Sequence, residues 1–228
     1  MKKVIYFLAI LLTATACETE SSDDINVSDV YQAYLLTYDK TNNNTYACAQ
    51  FRDGGSLGND IVLNSPSKVS VNGDVLTHQN LPFGLYYHYY KEHSGELQEA
   101  SFIFTDKFSK TYTNNANLNL LSPIDIPSNF STISKSVDLV LTWVGEPLAA
   151  GESVDLIISG AEQTSDFTQA DEGATSITVS KSDLAAFQLG DGSIILQRYR
   201  SDDLQASTGK GGEIMLEYNV SKNCVIEE

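Results

Sequence analysis

Val137-Asp138-Leu139-Val140-Leu141-Thr142-Trp143 places its largest apolar side chains at every second position. A period of two belongs to a half-buried β-strand, whose successive side chains leave opposite faces. Val137, Leu139, Leu141 and Trp143 therefore read as a core face. Working outward, Val154, Leu156 and Ile158 alternate in the same way. Ile177-Thr178-Val179, Ser193 to Tyr199 and Ile214 to Val220 complete a set of strands. No stretch after residue 26 keeps a helical period. The one helical candidate is Ser182-Asp183-Leu184-Ala185-Ala186-Phe187, a single turn with Ser182 as its cap.

The first half reads as strands too. Tyr31 to Tyr38 opens it, followed by Tyr46 to Phe51, Ile61 to Leu63 and Val69 to Val71. Asn72-Gly73 predicts a type I′ turn, because both of its central residues need positive φ. Leu85 to Glu92 and Leu97 to Phe104 flank His93-Ser94-Gly95-Glu96 and predict a hairpin. In that pairing Leu85, Tyr87 and Tyr89 face Phe104, Phe102 and Ala100 on the core side. Tyr86, His88 and Tyr90 then form a stripe on the opposite side. Aromatic faces on a sheet can stack on sugar rings or anchor a protein partner, which makes these three the candidate binding residues.

An early-strand tryptophan followed by strands that end in polar loops resembles the immunoglobulin or fibronectin type III sandwich. The resemblance covers about residues 134–223, where it implies that Trp143 fills the core. The expected fold class is all-β, with two tandem sandwiches of this kind. The N-terminal domain is expected over 27–121 and the C-terminal domain over 134–223, with a short tail at 224–228. Between them Ser122-Pro123-Ile124-Asp125-Ile126-Pro127 carries two prolines, which force extended backbone. Residues 122–133 are therefore expected to form a stiff linker.

The chain begins with Lys2-Lys3, an apolar run from Val4 to Leu12 and the small residues Thr13-Ala14-Thr15-Ala16 before Cys17. The run is too short to span a bilayer and has the layout of a secretion signal. Ala14-Thr15-Ala16-Cys17 resembles the lipobox of bacterial lipoproteins. The resemblance implies that residues 1–16 are removed and that Cys17 carries acyl chains. It further implies a partner membrane, reached through that lipid, and a place on the outer membrane of a Gram-negative bacterium, on the periplasmic side or at the surface. Residues 17–26 are polar, acidic and serine-containing, the composition of a flexible tether. Cys48 and Cys224 remain. An oxidising compartment favours a disulfide between them, worth about 5 kcal/mol in the chain-entropy model. The distance between an early strand and the chain's last residues argues against it.

The 228-residue chain is acidic, with 14 Lys+Arg against 30 Asp+Glu and a formal charge of −16. That balance excludes nucleic acid as a partner, because phosphate contacts need cations. Candidate chemistry is thin. Gly54-Gly55-Ser56-Leu57-Gly58 matches G-x-S-x-G, but the strand-like Asn59 to Leu63 follows it where a nucleophile elbow needs a helix. Ser65-Pro66-Ser67-Lys68 matches S-x-x-K without a helix to align the pair. His78, His88 and His93 do not have metal-ligand spacing, and the acidic loops show no D-x-D-x-D-G series. No catalytic residue, metal or cofactor is assigned. The reading is a lipid-anchored envelope protein with a non-catalytic binding, adhesion or scaffolding role. Its alternative is a carbohydrate-binding lipoprotein in polysaccharide capture.

Overall fold

The computed structural model describes residues 19–79 and 88–228. The protein is all-β, with several sheets and none closed into a barrel. Its main feature is an eight-stranded sheet drawn from both halves of the chain. In spatial order it runs Thr164–Gln169, Glu152–Ser159, Gly190–Asp203, Gly212–Glu227, Val30–Asp39, Asn44–Asp53 and Tyr89–Ser94, with Thr132–Ser134 pairing the end of Gly212–Glu227. The junction is a parallel pair: Gly212 lies opposite Gln32 and Asn219 opposite Asp39. The first long strand thus completes the sheet begun by the last, and the two sandwiches share it.

A second layer covers one face of this sheet. Over the strands from the first half it is a four-stranded sheet, ordered Asp74–Val75, Lys68–Val71, Glu99–Thr105 and Thr111–Asn117. Aromatic rings knit the layers: Tyr34 lies 4.8 Å from Phe102 and Phe51 lies 4.7 Å from Phe104, centroid to centroid. Over the other half, Leu139–Thr142 pairs with Ser176–Val179. Trp143 is 4% exposed, and its Nε1 donates to the Glu146 carbonyl at 3.2 Å. Beside it Arg198, fully buried, donates Nη1 to the Glu146 carbonyl and Nη2 to the Pro147 carbonyl, and its Nε meets Glu152 Oε2 at 3.1 Å.

Several expectations change. The described part of the 85–92 run does not pair with the 97–104 run: Tyr89–Ser94 joins the long sheet and Glu99–Thr105 the second layer, while Leu85 and Tyr87 lie outside the described residues. Thr45 fixes the crossing, since its Oγ1 donates to the Gly95 carbonyl at 2.7 Å and accepts the Leu97 amide at 2.9 Å. Ala100, Phe102 and Phe104 still face the core, as alternation requires, and Tyr89 meets that core from the opposite layer. Residues 122–133 are packed rather than a bare linker. Ile124 and Ile126 are buried, Ile124–Asp125 pairs with Val144–Gly145, and Lys222 Nζ donates to the Pro127 and Ser128 carbonyls. The expected tail belongs to Gly212–Glu227, because Cys224 and Ile226 continue the buried alternation of Tyr218 and Val220. From Glu20 onward the expected tether is packed as well: Glu20–Ser21 pairs with Ile61–Val62, and Ile25 is buried.

Local signals fared better. Asn72 and Gly73 both have positive φ, 50° and 91°, and turn Lys68–Val71 into Asp74–Val75. The single helical turn is Lys181–Leu184, capped by Ser180 instead of Ser182.

Candidate functional site

One face of the long sheet carries the second layer, and none of the described elements covers the other, called the open face below. Alternation decides which side chains stand there. Along Gly212–Glu227 the even positions Ile214, Leu216, Tyr218 and Val220 are buried in the core. Glu213, Met215, Glu217 and Asn219 therefore point to the open face, and all four are half-buried. The register then aligns three rows across the strands. The first is apolar: Met215, Leu35, Cys48 and Tyr90. The middle row is mixed: Ser153, Tyr199, Glu217, Thr37, Tyr46 and Glu92. The third is polar: Asp155, Gln197, Asn219, Asp39 and Asn44. Tyr199 and Tyr46 bracket the middle row three strands apart, about 14 Å at ordinary strand spacing.

The tyrosines are tied to carboxylates on neighbouring strands. Tyr31 donates to Glu213 Oε1 at 3.1 Å, Tyr46 to Glu92 Oε1 at 3.4 Å and Tyr199 to Asp155 Oδ1 at 3.5 Å. Burial and then the Glu213 charge push the Tyr31 hydroxyl up to about 12. Burial likewise raises Tyr199, helped by Asp155. Each hydroxyl therefore stays a proton donor, and its ring is held in place. At the centre Glu217 Oε1 accepts from Thr37 Oγ1 at 2.8 Å, with the Gln197 and Asn219 amides at 3.4 Å. Burial raises its pKa above the ordinary carboxylate range. Oε2 makes no hydrogen bond among the described residues. Arg52 is the one basic side chain on the open face of these strands among the described residues, so the face is acidic.

Of the expected stripe, Tyr86 lies outside the described residues. Tyr90 sits at the end of the apolar row, opposite Cys48. His88 closes the same edge differently. Its Nε2 meets Asp60 Oδ2 at 3.0 Å, and its ring stacks on His78 with centroids 5.2 Å apart. Asp60 Oδ1 also accepts from Gln50 Nε2 at 2.5 Å and lies 3.5 Å from Arg52 Nε. Burial, and then His88, lowers the His78 pKa. This cluster fastens the start of Tyr89–Ser94 to Asn44–Asp53. Among the described residues no group of three or more His, Cys, Asp or Glu is placed to hold a metal ion.

Cys17 lies outside the described residues. Cys48 and Cys224 are both buried free thiols. Cys48 aligns through Leu35 with Met215, nine residues before Cys224 on one continuous strand, hence about 30 Å away along the sheet. A disulfide needs Cα atoms within about 7 Å, so these two cannot pair in this fold. Ser56 of the G-x-S-x-G match lies on a tight turn between Asn44–Asp53 and Ile61–Val62, with strand and not helix on its far side.

Tyr46, Tyr199, Glu217, Gln197 and Asn219 were not singled out from the sequence. Alternation marks each as outward-facing, but only pairing between residues about 180 apart lines them up. No known protein-family model matches the chain, and no curated protein matches its sequence. Among the described residues no helix is long and apolar enough to cross a membrane.

Proposed function

We propose that this is a lipid-anchored protein of the Gram-negative outer membrane with a non-catalytic binding role, its lipid carried by Cys17 and its partner taken on the open face of the shared sheet. The observation that supports this most is the alignment of the three rows. Six strands from both halves present half-buried tyrosine, methionine, leucine, amide and carboxylate side chains side by side. Half-buried rings held by their hydroxyls on an outward face suit recognition by contact.

The same rows favour carbohydrate among the partners. A sugar ring is amphipathic, with apolar C–H faces and a polar rim of hydroxyls. The track has an apolar row on one side, an amide and carboxylate row on the other, and tyrosines between. Its acidity disfavours anionic polymers.

Affinity electrophoresis of the full chain in gels containing neutral glucan, mannan or xylan tests this reading. Retardation by at least one, weakened about fivefold by Tyr46→Ala or Tyr199→Ala for about 1 kcal/mol of ring contact, supports it. Tyr46→Phe keeps the ring and is expected to keep most of the binding. No retardation by any of them, together with photocrosslinking from Tyr46 and Tyr199 positions to an envelope protein, would replace carbohydrate by a protein partner on the same face. Metabolic labelling with palmitate, lost in Cys17→Ser, tests the anchor separately.

A further inference from the structure

Among the described residues Leu57 and Phe108 are the two most exposed large apolar side chains, at 99% and 76%. Neither is on a loose segment. Leu57 tips the Gly54–Gly58 turn, where the Gly54 amide donates to the Asp29 carbonyl at 2.8 Å, the Gly58 amide to the Gly55 carbonyl at 3.0 Å and the Asp53 amide to the Asn59 carbonyl at 2.9 Å. Gly58 has no room for a side chain, since a Cβ there would lie 1.5 Å from the Asp53 carbonyl oxygen. Phe108 tips a second such turn. Buried Asp106 accepts the amides of Phe108 and Lys110 at 2.8 and 3.0 Å, and its own amide donates to the Lys110 carbonyl at 2.9 Å. Two rigid turns therefore hold an apolar side chain out into solvent.

Both turns flank the same short segment. Asn59, beside the first turn, donates Nδ2 to Glu20 Oε1 at 2.7 Å, and the Glu20 amide donates to the Asp60 carbonyl at 2.8 Å. Lys107, beside Phe108, donates Nζ to the Asp23 and Ile25 carbonyls at 2.8 and 2.7 Å. Residues 20–25 thus run between the two apolar tips. Only Glu18 and Thr19 separate Cys17 from the first paired residue, Glu20, a reach of no more than about 10 Å.

We propose that Leu57 and Phe108 enter the bilayer that holds the Cys17 lipid, giving the protein a three-point seat with its Asp29–Asp53 end on the membrane. The inference rests on the lipid-anchor reading. A folded body that begins within about 10 Å of its acyl chains must meet the lipid surface, and the apolar groups nearest that point are the ones that meet it. Glu20, Asp23 and Asp24 offset Lys107 and Lys110 at this end, so the attraction is apolar and not a pull on anionic headgroups.

The test uses the acylated full chain in vesicles of phosphatidylethanolamine and phosphatidylglycerol. An environment-sensitive fluorophore is placed by Leu57→Cys or Phe108→Cys, and Asn42→Cys serves as the control. Asn42 lies on the exposed turn at the other end of the Val30–Asp39 and Asn44–Asp53 pair, about 30 Å away. The expected result is a blue shift and loss of most emission on adding brominated acyl-chain lipid at positions 57 and 108, and no change at 42. Emission typical of water at both 57 and 108, in chains that carry palmitate and float with the vesicles, overturns the inference and leaves the anchor standing. Absence of palmitate from the chain overturns the anchor itself.

Discussion

Arg198→Met is expected to be the most damaging single change in the second sandwich. Arg198 is fully buried and Glu152 is 3% exposed. The substitution leaves the Glu152 carboxylate with one described partner, the Ala149 amide at 2.9 Å, and takes the guanidinium donors from the Glu146 and Pro147 carbonyls. Removing one member of a buried ion pair costs about 3–5 kcal/mol, because the survivor stays charged and dry. At about 2–4 °C per kcal/mol for a chain of this size, the midpoint should fall by about 6–20 °C. Trp143 is the only tryptophan and shares the Glu146 carbonyl with Arg198, so its emission during urea titration reports this region directly. Arg198→Met combined with Glu152→Leu should regain most of the loss, since apolar replacement of a whole buried pair is often neutral or stabilising. A single variant that loses less than about 1 kcal/mol, or a double variant as unstable as the two singles summed, would mean that no dry, charged Glu152 is left behind when Arg198 goes.

Other expectations follow from the same geometry. Burial pushes the Cys48 thiol up to about 12, so alkylation at pH 8 should leave Cys48 unmodified in the folded protein. In urea without reductant, mass spectrometry should find both Cys48 and Cys224 alkylated; a bond between them would leave both unlabelled. Glu217 has a raised folded-state pKa, so the folded state holds its proton more tightly than the unfolded state does. Its contribution to stability therefore falls as pH rises from about 4.5 through the folded value. Glu217→Gln should accordingly raise stability at pH 7 and flatten the pH dependence of the urea midpoint, and a lowered midpoint at pH 7 would count against a strained carboxylate. Gly73→Ala should cost about 1–2 kcal/mol through its φ of 91° alone, as no atom crowds the position; an unchanged midpoint would contradict the turn assignment.

The sequence spoke most clearly where the physics is local. The period of two around Leu141 and Trp143, the positive φ demanded by Asn72-Gly73 and the buried face of Ala100, Phe102 and Phe104 need no knowledge of distant residues. Pairing was legible only where a tight turn enforces it. The 85–104 stretch has strong strands but no such enforcement, and Thr45, some 50 residues upstream, holds the chain in the crossing between layers. The shared sheet was out of reach for the same reason. Val30–Asp39 has the buried positions of a central strand, with Tyr34 and Leu36 wholly inside, and its second neighbour is Gly212–Glu227, from the far end of the chain. Proline content suggested a linker at 122–133, yet Ile124 and Ile126 carry the opposite message, because a solvated linker does not need them.

The shared sheet also relates the proposed face to the proposed membrane seat. Val30 and Asp53 mark the end beside residues 20–29, and the strands run from there to the 40–43 turn. Thr37 and Tyr46, in the middle row, lie seven residues along from Val30 and Asp53, about 23 Å at ordinary strand rise. A lipid at Cys17 with Leu57 and Phe108 beside it would stand the sheet upright and hold the tyrosine row clear of the headgroups. A longer tether could present the face without such a seat, but Glu20 is already paired. On the lipid-anchor reading the chain has almost no slack, and distance from the membrane would have to come from the strands themselves. The parallel join of the first long strand and the last would then have a mechanical consequence, because it fixes the second sandwich to the long strand nearest the proposed anchor. If the fluorophore at position 42 were quenched as strongly as those at 57 and 108, the sheet would be lying flat, and the open face would not be free to bind from solution.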